Sequence, residues 1–427
     1  MKYSAVLFDL DGTLTRSEEG ITRSALWAAE QLNYTGFTQE QLKAFIGPPL
    51  YVSFPKVMGM KEEDVDEAVR LYKERYARIG WLENEVYPGI PRLLRSLKEN
   101  GLKALIATAK PQVFAEKIAE HFGLLPYLDG IVGPTTERVS ISKADFVRKA
   151  AQMAGGKAVM VGDRCFDVDA AKEVGIDSIG VTYGYGSREE LYASGADAIA
   201  DDVRGLQRLI LGDLPPARGI FISMEGMDGC GKTTQRTALV RHLEAMGWEV
   251  TQTREPGGDG IAEKIRQIIL DPANTEMFDE TEAYLYAASR AQNVRAIIRP
   301  AVEDGRLVVC DRFVDSSIAY QGGGRGLGAE RIGDLNAMAT GGCLPDLTIY
   351  LDMAAGKAIE RRRSVGVPDR LERQKDSFYE RTQRAYDVLF SKGDRSVVHV
   401  DAAGSIEEVS ERMLSGVDEW LSGAAMN

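Results

Sequence analysis

Residues 219–234 read GIFISMEGMDGCGKTT. Ile220 to Met224 is an apolar run expected to form a short buried strand. Gly226 to Thr233 then fits G-x-x-x-x-G-K-[ST], and a helical pattern follows from Gln235 to Met246. Strand, glycine loop and helix N-terminus together make an anion cradle, because loop N–H groups and the helix dipole both point at phosphate. Gly226, Gly229 and Gly231 let the backbone turn tightly and approach the phosphates. Lys232 is spaced to reach the β/γ-phosphates and Thr233 to reach Mg²⁺, with Thr234 beside them. A nucleotide site therefore begins from scratch halfway along the chain.

The 427 residues suggest two or three domains. Hydrophobic content of 44% and charged content of 27% are ordinary for a soluble globular protein. No apolar run approaches a membrane span, and the N-terminus enters a strand without a signal-peptide layout. A net charge of −12 argues against a nucleic-acid-coating surface, so any basic cluster should have a local task. Cys165, Cys230, Cys310 and Cys343 form no C-x-x-C pair, which fits reduced thiols in the cytoplasm. With only three histidines, the chemistry is expected to run on carboxylates, Lys, Arg and Mg²⁺.

In the first half, Ala5 to Leu10 reads as a central parallel strand ending in FDLDGT. Asp9 and Asp11 are two apart and face one side; two carboxylates aimed at one point call for a cation, or else form a turn pair. Residues 16–86 read as a helical insertion, with Val65, Val69, Tyr72, Tyr76 and Ile79 at helical spacing. A second strand, Leu102 to Ala107, ends at Thr108, by itself an N-cap candidate. Lys143 opens a helix, where a lysine is ordinarily solvated. A third strand, Ala158 to Val161, ends in Gly162-Asp163, with Asp167 four residues on, and Val174 to Thr182 is strand-like.

In this order D-x-D-G-T, Thr, Lys and G-D-x-x-x-D resemble the motifs of haloacid-dehalogenase-like phosphohydrolases over Met1 to about Gly212. The resemblance implies that Asp9 is a nucleophile forming an aspartyl-phosphate, and that Asp11 protonates the leaving alcohol and then activates water. It further implies that Thr108 and Lys143 hold phosphoryl oxygens, and that Asp163 and Asp167 bind Mg²⁺ with Asp9, Asp11 being included in the metal set. FIGPPL (45–50), ENEVYPGIP (83–91), ATAKP (107–111) and DSIGVTYGYGS (177–187) resemble the 5′-nucleotidase-like branch near phosphoglycolate phosphatases. A nucleoside monophosphate is then the expected substrate, with phosphoglycolate or another small phosphomonoester, or a non-catalytic regulatory role, as alternatives.

Residues 213–218 read as a short, stiff linker. Beyond the phosphate loop, Trp248 to Thr253 is a strand running into Arg254-Glu255-Pro256-Gly257-Gly258. Glu280 to Arg299 reads as a long helix stopped by Pro300, with Tyr286 and Arg290 on one face. Leu307 to Cys310 is a strand followed by DRFVDSSIAYQGGGR (311–325), Leu347 to Leu351 another, and Ser396 to Val400 the last. Arg361-Arg362-Arg363 and Arg370 form a basic cluster suited to closing over a transferring phosphoryl group.

This set resembles thymidylate kinases over about Arg218 to the C-terminus. The resemblance implies ATP as donor and dTMP as acceptor, with another acceptor such as dUMP as alternative. Asp228 would position phosphate or Mg²⁺, Tyr286 stack on thymine, Arg290 bond its edge, and Arg312 hold the dTMP phosphate. Tyr320 would crowd the 2′ position, Gln321 would join the substrate site, and Glu255 the acceptor or metal shell. The loop has no Arg at Gly229-Cys230, so the resemblance hands charge stabilisation to Arg361, Arg363 or Arg370; Val365 stands where related lids often carry another Arg. A homodimer through this half is also implied. The expected fold is two tandem Rossmann-like parallel-sheet α/β domains, 1–212 with a helical cap at about 16–86, and 219–427 a P-loop kinase.

Overall fold

The computed structural model describes residues 2–47, 50–135, 142–363, 370–371, 374–391, 393 and 395–426, without the side chains of 362, 363, 425 and 426. The chain divides into two units, Met1–Ala217 and a second from Arg218 on.

The first unit is built on strands β1 (Ala5–Phe8), β2 (Lys103–Ala107), β3 (Gly130–Val132), β4 (Ala158–Gly162), β5 (Asp177–Val181) and β6 (Ala198–Ala200). They lie parallel in the order β3-β2-β1-β4-β5-β6. β1 and β4 are buried at every position, which explains their unbroken apolar runs: helices cover both faces. Phe8 pairs with Val161, so Asp9 and Asp163 leave neighbouring strands at the same end. The strand order reverses direction between β1 and β4, the place where open α/β sheets leave a crevice for ligands.

A two-residue antiparallel ribbon, Thr15–Arg16 with Glu85–Val86, carries the helical insertion. Its helices bury their own cluster, including Phe45, Phe54, Val65, Val69 and Tyr72. The helix Lys143–Ala154 packs Phe146, Val147 and Ala150 against Leu105 and Met160 of the sheet. A capping box fixes where it starts: the Ser142 hydroxyl accepts the Asp145 N–H, and Asp145 accepts the Ser142 N–H. Lys143 is thereby held on the first turn, facing the ends of β1 and β4.

The second unit contains β7 (Ile220–Gly226), β8 (Val250–Arg254), β9 (Leu307–Asp311), β10 (Leu347–Asp352) and β11 (Val397–Asp401), parallel in the order β8-β9-β7-β10-β11. β7 is central and wholly buried, and Phe221 packs edge-on against Phe313 with ring centroids 4.9 Å apart. Both units are thus α/β with parallel sheets.

Three expectations about element bounds need correction. The helix after the phosphate loop begins at Lys232, not Gln235, because the loop's last residues are already in its first turn. Val174 ends a helix rather than starting a strand; Gly175, in the left-handed region at φ 77°, closes that helix before β5. Pro300 does not stop the long helix. Asp279–Asn293 widens into a π-helical stretch, Val294–Ile298, and the proline sits in the first turn of a further segment, Arg299–Glu303, where its missing N–H is tolerated.

Phe221 is fully buried at the centre of the second sheet. Phe221→Ala is expected to lower the stability of that unit by about 3–5 kcal/mol in a urea titration followed by fluorescence or circular dichroism.

Candidate active sites

In the first unit, Asp9 leaves β1 and its N–H donates to Val161 O at 2.9 Å. Gly12, at φ 85°, makes the next turn; a Cβ there would stand 2.2 Å from Asp163 Oδ2. Asp9, Asp163 and Asp167 each bring a carboxylate oxygen within 4.8 Å of the others. Lys143 Nζ lies 2.6 Å from Asp9 Oδ1 and 2.9 Å from Asp167 Oδ1. Lys143 is not ordinary solvated surface: the capping box delivers this side chain into the carboxylates. Burial opposes the ammonium charge, but Asp167 and Asp9 outweigh it and hold the Lys143 pKa above the ordinary lysine value.

One lysine does not balance the cluster. Burial, then the charges of Asp167 and Asp9, push the Asp163 carboxyl up to about 8. Burial also raises Asp167 to about 6 against the pull of Lys143. Hard carboxylate oxygens this crowded fit a divalent cation such as Mg²⁺, which would cancel the repulsion.

Asp11 is not part of that group. Both its oxygens accept from Lys110 Nζ, at 2.9 and 2.8 Å, which corrects the expectation that its carboxylate is a metal ligand. Lys110 is itself buried and lies 5.0 Å from the Tyr76 ring centroid. Sequence reasoning gave it no role. The available signal was a lysine two residues beyond Thr108, at the same strand end. Thr108 is buried, and its hydroxyl accepts the Lys110 N–H at 3.2 Å.

In the second unit the phosphate loop wraps the end of β7. Gly226, at φ 140°, comes so close to β10 that a Cβ would meet Leu351 O at 2.6 Å. Lys232 Nζ donates to the carbonyls of Gly226 and Met227, both at 2.9 Å. Gly229, Gly231, Lys232, Thr233 and Thr234 line a cleft together with Asp311 and Arg361. Tyr286, Arg290, Tyr320 and Gln321 line a second cavity, and Asp228, Glu255, Arg266 and Arg312 border both.

Arg312 is the centre of that shared wall. Its Nη2 donates to Asp228 Oδ1 at 2.6 Å and to the Tyr320 hydroxyl at 3.2 Å, and its Nη1 to Ser316 Oγ at 2.9 Å. The Tyr320 hydroxyl donates to Asp228 Oδ2 at 3.0 Å. Burial works against ionised Asp228, yet Arg312 and Lys232 hold its carboxyl well below the usual range. Asp311, the residue before Arg312, was given no role from sequence. Its Oδ1 is buried without a hydrogen-bond partner, and it lines the same cleft as Thr233. That orphaned oxygen and the Thr233 hydroxyl suit a Mg²⁺ ion accompanying nucleotide phosphates.

Arg290 is more deeply placed than a ligand-edge residue need be. Nε donates to Glu255 Oε2 at 2.6 Å, Nη1 to Ser317 Oγ at 3.0 Å and to Asn336, and Nη2 to Phe313 O at 2.9 Å. Glu255 also accepts from Asn293 at 3.0 Å. The pair forms the buried base of the second cavity, with Tyr286 one helical turn away.

The lid arginines separate. Arg361 lines the phosphate-loop cleft. Arg370 does not: its Nη2 donates to buried Glu282 at 2.5 Å and its Nε to Ile269 O at 2.7 Å. Glu282 also accepts from Arg325 and Gln321. The expectation that Arg370 faces the phosphates is thus corrected, because Glu282 offers it a desolvated counter-charge. The Arg363 side chain and Val365 lie outside the described residues.

Clustered carboxylates with a lysine at the switch point of one parallel sheet are the frame of a phosphohydrolase. A phosphate loop backed by an Asp–Arg pair and a second cavity is that of a phosphotransferase. The haloacid dehalogenase-like hydrolase family model matches residues 6–181, and the thymidylate kinase family model matches residues 224–413. A thymidylate kinase of Lactobacillus delbrueckii subsp. bulgaricus is 50% identical over 195 residues, covering 45% of this chain and 92% of its own. That of Symbiobacterium thermophilum is 46% identical over 202 residues, 47% of this chain and 94% of its own. The crystal structure of a predicted phosphatase from Clostridium acetobutylicum is 42% identical, covers 49% of this chain and 99% of its own, and has a TM-score of 0.46. The chain belongs to the thymidylate kinase family through its second unit, and its first unit is a haloacid dehalogenase-like hydrolase.

Because Arg290 and Glu255 are each 1% exposed at the side chain, removing one leaves the other a buried unpaired charge. Arg290→Met is expected to destabilise the second unit by about 3–5 kcal/mol, read by chemical denaturation.

Proposed function

We propose that the second unit transfers the γ-phosphoryl group of ATP to dTMP, forming dTDP and ADP. The observation that carries the reading is the wall of Asp228, Glu255, Arg266 and Arg312 shared by two cavities, one lined by the phosphate loop and one by Tyr286, Tyr320 and Gln321. Donor and acceptor phosphates bound on either side of one arginine meet end to end, which is the positioning that phosphoryl transfer requires. Lys232 exchanges the loop carbonyls for the β/γ-oxygens of ATP. Arg312 holds the acceptor phosphate, Tyr286 stacks on the thymine, and Tyr320, packed against Asp228, crowds the 2′ carbon. Arg361 is the lid arginine that stabilises the transferring group, because it already faces the loop cleft while Arg370 is bound to Glu282. A second copy of the chain associates through this unit, as the resemblance implies.

The first unit hydrolyses phosphomonoesters, with nucleoside 5′-monophosphates as substrate class. Asp9 attacks phosphorus, the bond to the leaving oxygen breaks, and Asp11 supplies the proton. Asp11 then takes a proton from the water that displaces Asp9, releasing phosphate. Thr108 and Lys143 hold the phosphoryl oxygens. Asp9, Asp163 and Asp167 are the residues that would hold Mg²⁺, which supplies positive charge against the dianionic phosphate. Among the described residues no helix is long and apolar enough to cross a membrane. Four free cysteines support a cytoplasmic setting.

Lys232→Ala is expected to abolish dTDP formation from ATP and dTMP while hydrolysis of p-nitrophenyl phosphate continues; Asp9→Asn is expected to do the reverse. Equal loss of both activities in either variant would contradict separate sites. An acceptor panel with ATP should rank dTMP above dUMP and the other nucleoside monophosphates. A hydrolysis panel in which phosphoglycolate far exceeds every nucleotide would overturn the substrate class of the first unit. Arg361→Ala is expected to lower kcat about 10²–10³-fold with little change in dTMP KM, whereas Arg370→Ala should act mainly on stability.

A further inference from the structure

We propose that Glu225 is a positioning residue for Arg312, holding both its backbone and its guanidinium on the acceptor phosphate; this rests on the acceptor-binding reading of Arg312 given above. Glu225 is the last residue before the phosphate loop glycine Gly226 and is completely buried. A carboxylate at the end of a central strand, fully buried, is costly unless donors surround it. It collects three. Oε1 accepts the Phe313 N–H at 2.7 Å, and Oε2 accepts the Ser316 hydroxyl at 2.6 Å and the Tyr386 hydroxyl at 3.0 Å.

Two of these donors act on Arg312. Its φ is 72°, in the left-handed region that non-glycine residues avoid. The peptides on either side are pinned to the same strand: the Arg312 N–H donates to Met224 O at 2.9 Å, and the following N–H, that of Phe313, to Glu225. The side chain is pinned through Ser316. Because the Ser316 hydroxyl gives its hydrogen to Glu225, its lone pairs are left facing Arg312 Nη1 at 2.9 Å. Glu225 Oε2, as the acceptor, thus decides which way the serine hydroxyl points. Tyr386 lies on the helix Asp376–Phe390 and brings a third element onto the same carboxylate.

Glu225→Gln tests this with nearly constant volume. With its amide oxygen kept on the Phe313 N–H, its NH₂ donates to Ser316 Oγ where the carboxylate accepted, so it competes with Arg312 Nη1 for the serine lone pairs and the contact weakens. Steady-state kinetics should show the acceptor KM raised about tenfold with the ATP KM within about twofold of the parent. Ser316→Ala should give the same split, and the double variant should be no worse than Glu225→Gln alone, since both remove one relay. A rise in both KM values together, an unchanged acceptor KM, or additive effects in the double variant would overturn the proposal. Should Glu225→Gln fail to fold, Ser316→Ala decides by itself: an acceptor-only rise supports the relay and an unchanged KM refutes it. A parent protein that phosphorylates no nucleoside monophosphate overturns the acceptor reading and this proposal together. An active parent with unaffected variants overturns only the positioning role.

Discussion

The ion pair between Arg312 and Asp228, at 2.6 Å, is the contact on which the second unit's site depends. It joins the end of β9 to the loop after β7, and so makes one wall out of two segments far apart in the chain. The pair forms because Asp311 is in register with Met224, which brings the two strand ends level. It is expensive to hold, since the arginine is largely withdrawn from solvent and its backbone strained. Glu225, Ser316 and Tyr320 supply the compensation, and all of them lie within the same end of the sheet.

The two units meet one constraint with opposite signs. Each gathers charge at the carboxyl ends of parallel strands, where the sheet leaves a crevice. In the first unit the excess is negative. Asp9, Asp163 and Asp167 share Lys143, while Asp11 is neutralised separately by Lys110. In the second it is positive around the phosphate loop, with Lys232, Arg312 and Arg361 on one cleft. Under the proposed functions, one crevice takes a cation and a phosphoester and the other two phosphorylated ligands. Lysines folded onto carboxylates or loop carbonyls hold these charges in place.

The lid shows how a buried counter-charge sorts residues of one type. Arg361 and Arg370 are equivalent as members of a basic stretch. Glu282, with no exposed surface, takes Arg370, Arg325 and Gln321 and fixes the end of the lid segment beside the second cavity, where Leu371 forms part of the lining. Arg361 remains at the cleft.

Most of the frame was legible in the amino-acid order. Continuous apolar runs ending in Asp or Gly predicted the central strands, and the glycine spacing predicted the phosphate loop, because period and backbone freedom are local properties. Asp9, Thr108, Asp163, Asp167 and Lys232 could be singled out for the same reason: each sits at a strand end or in the first turn of the helix that follows one, where its neighbours dictate the geometry. Pairings were not legible. That Asp11 belongs to Lys110 rather than to the other carboxylates, that Lys143 lies between two of them, that Arg290 is the base of a cavity and that Arg370 is taken by Glu282 all depend on segments up to 134 residues apart in the chain meeting across desolvated space. The order of residues is enough for two parallel-sheet units and for the start of their phosphate-handling loops. Which charge answers which is settled in three dimensions, because the strength of an ion pair depends on distance and burial, and neither is a property of the linear chain.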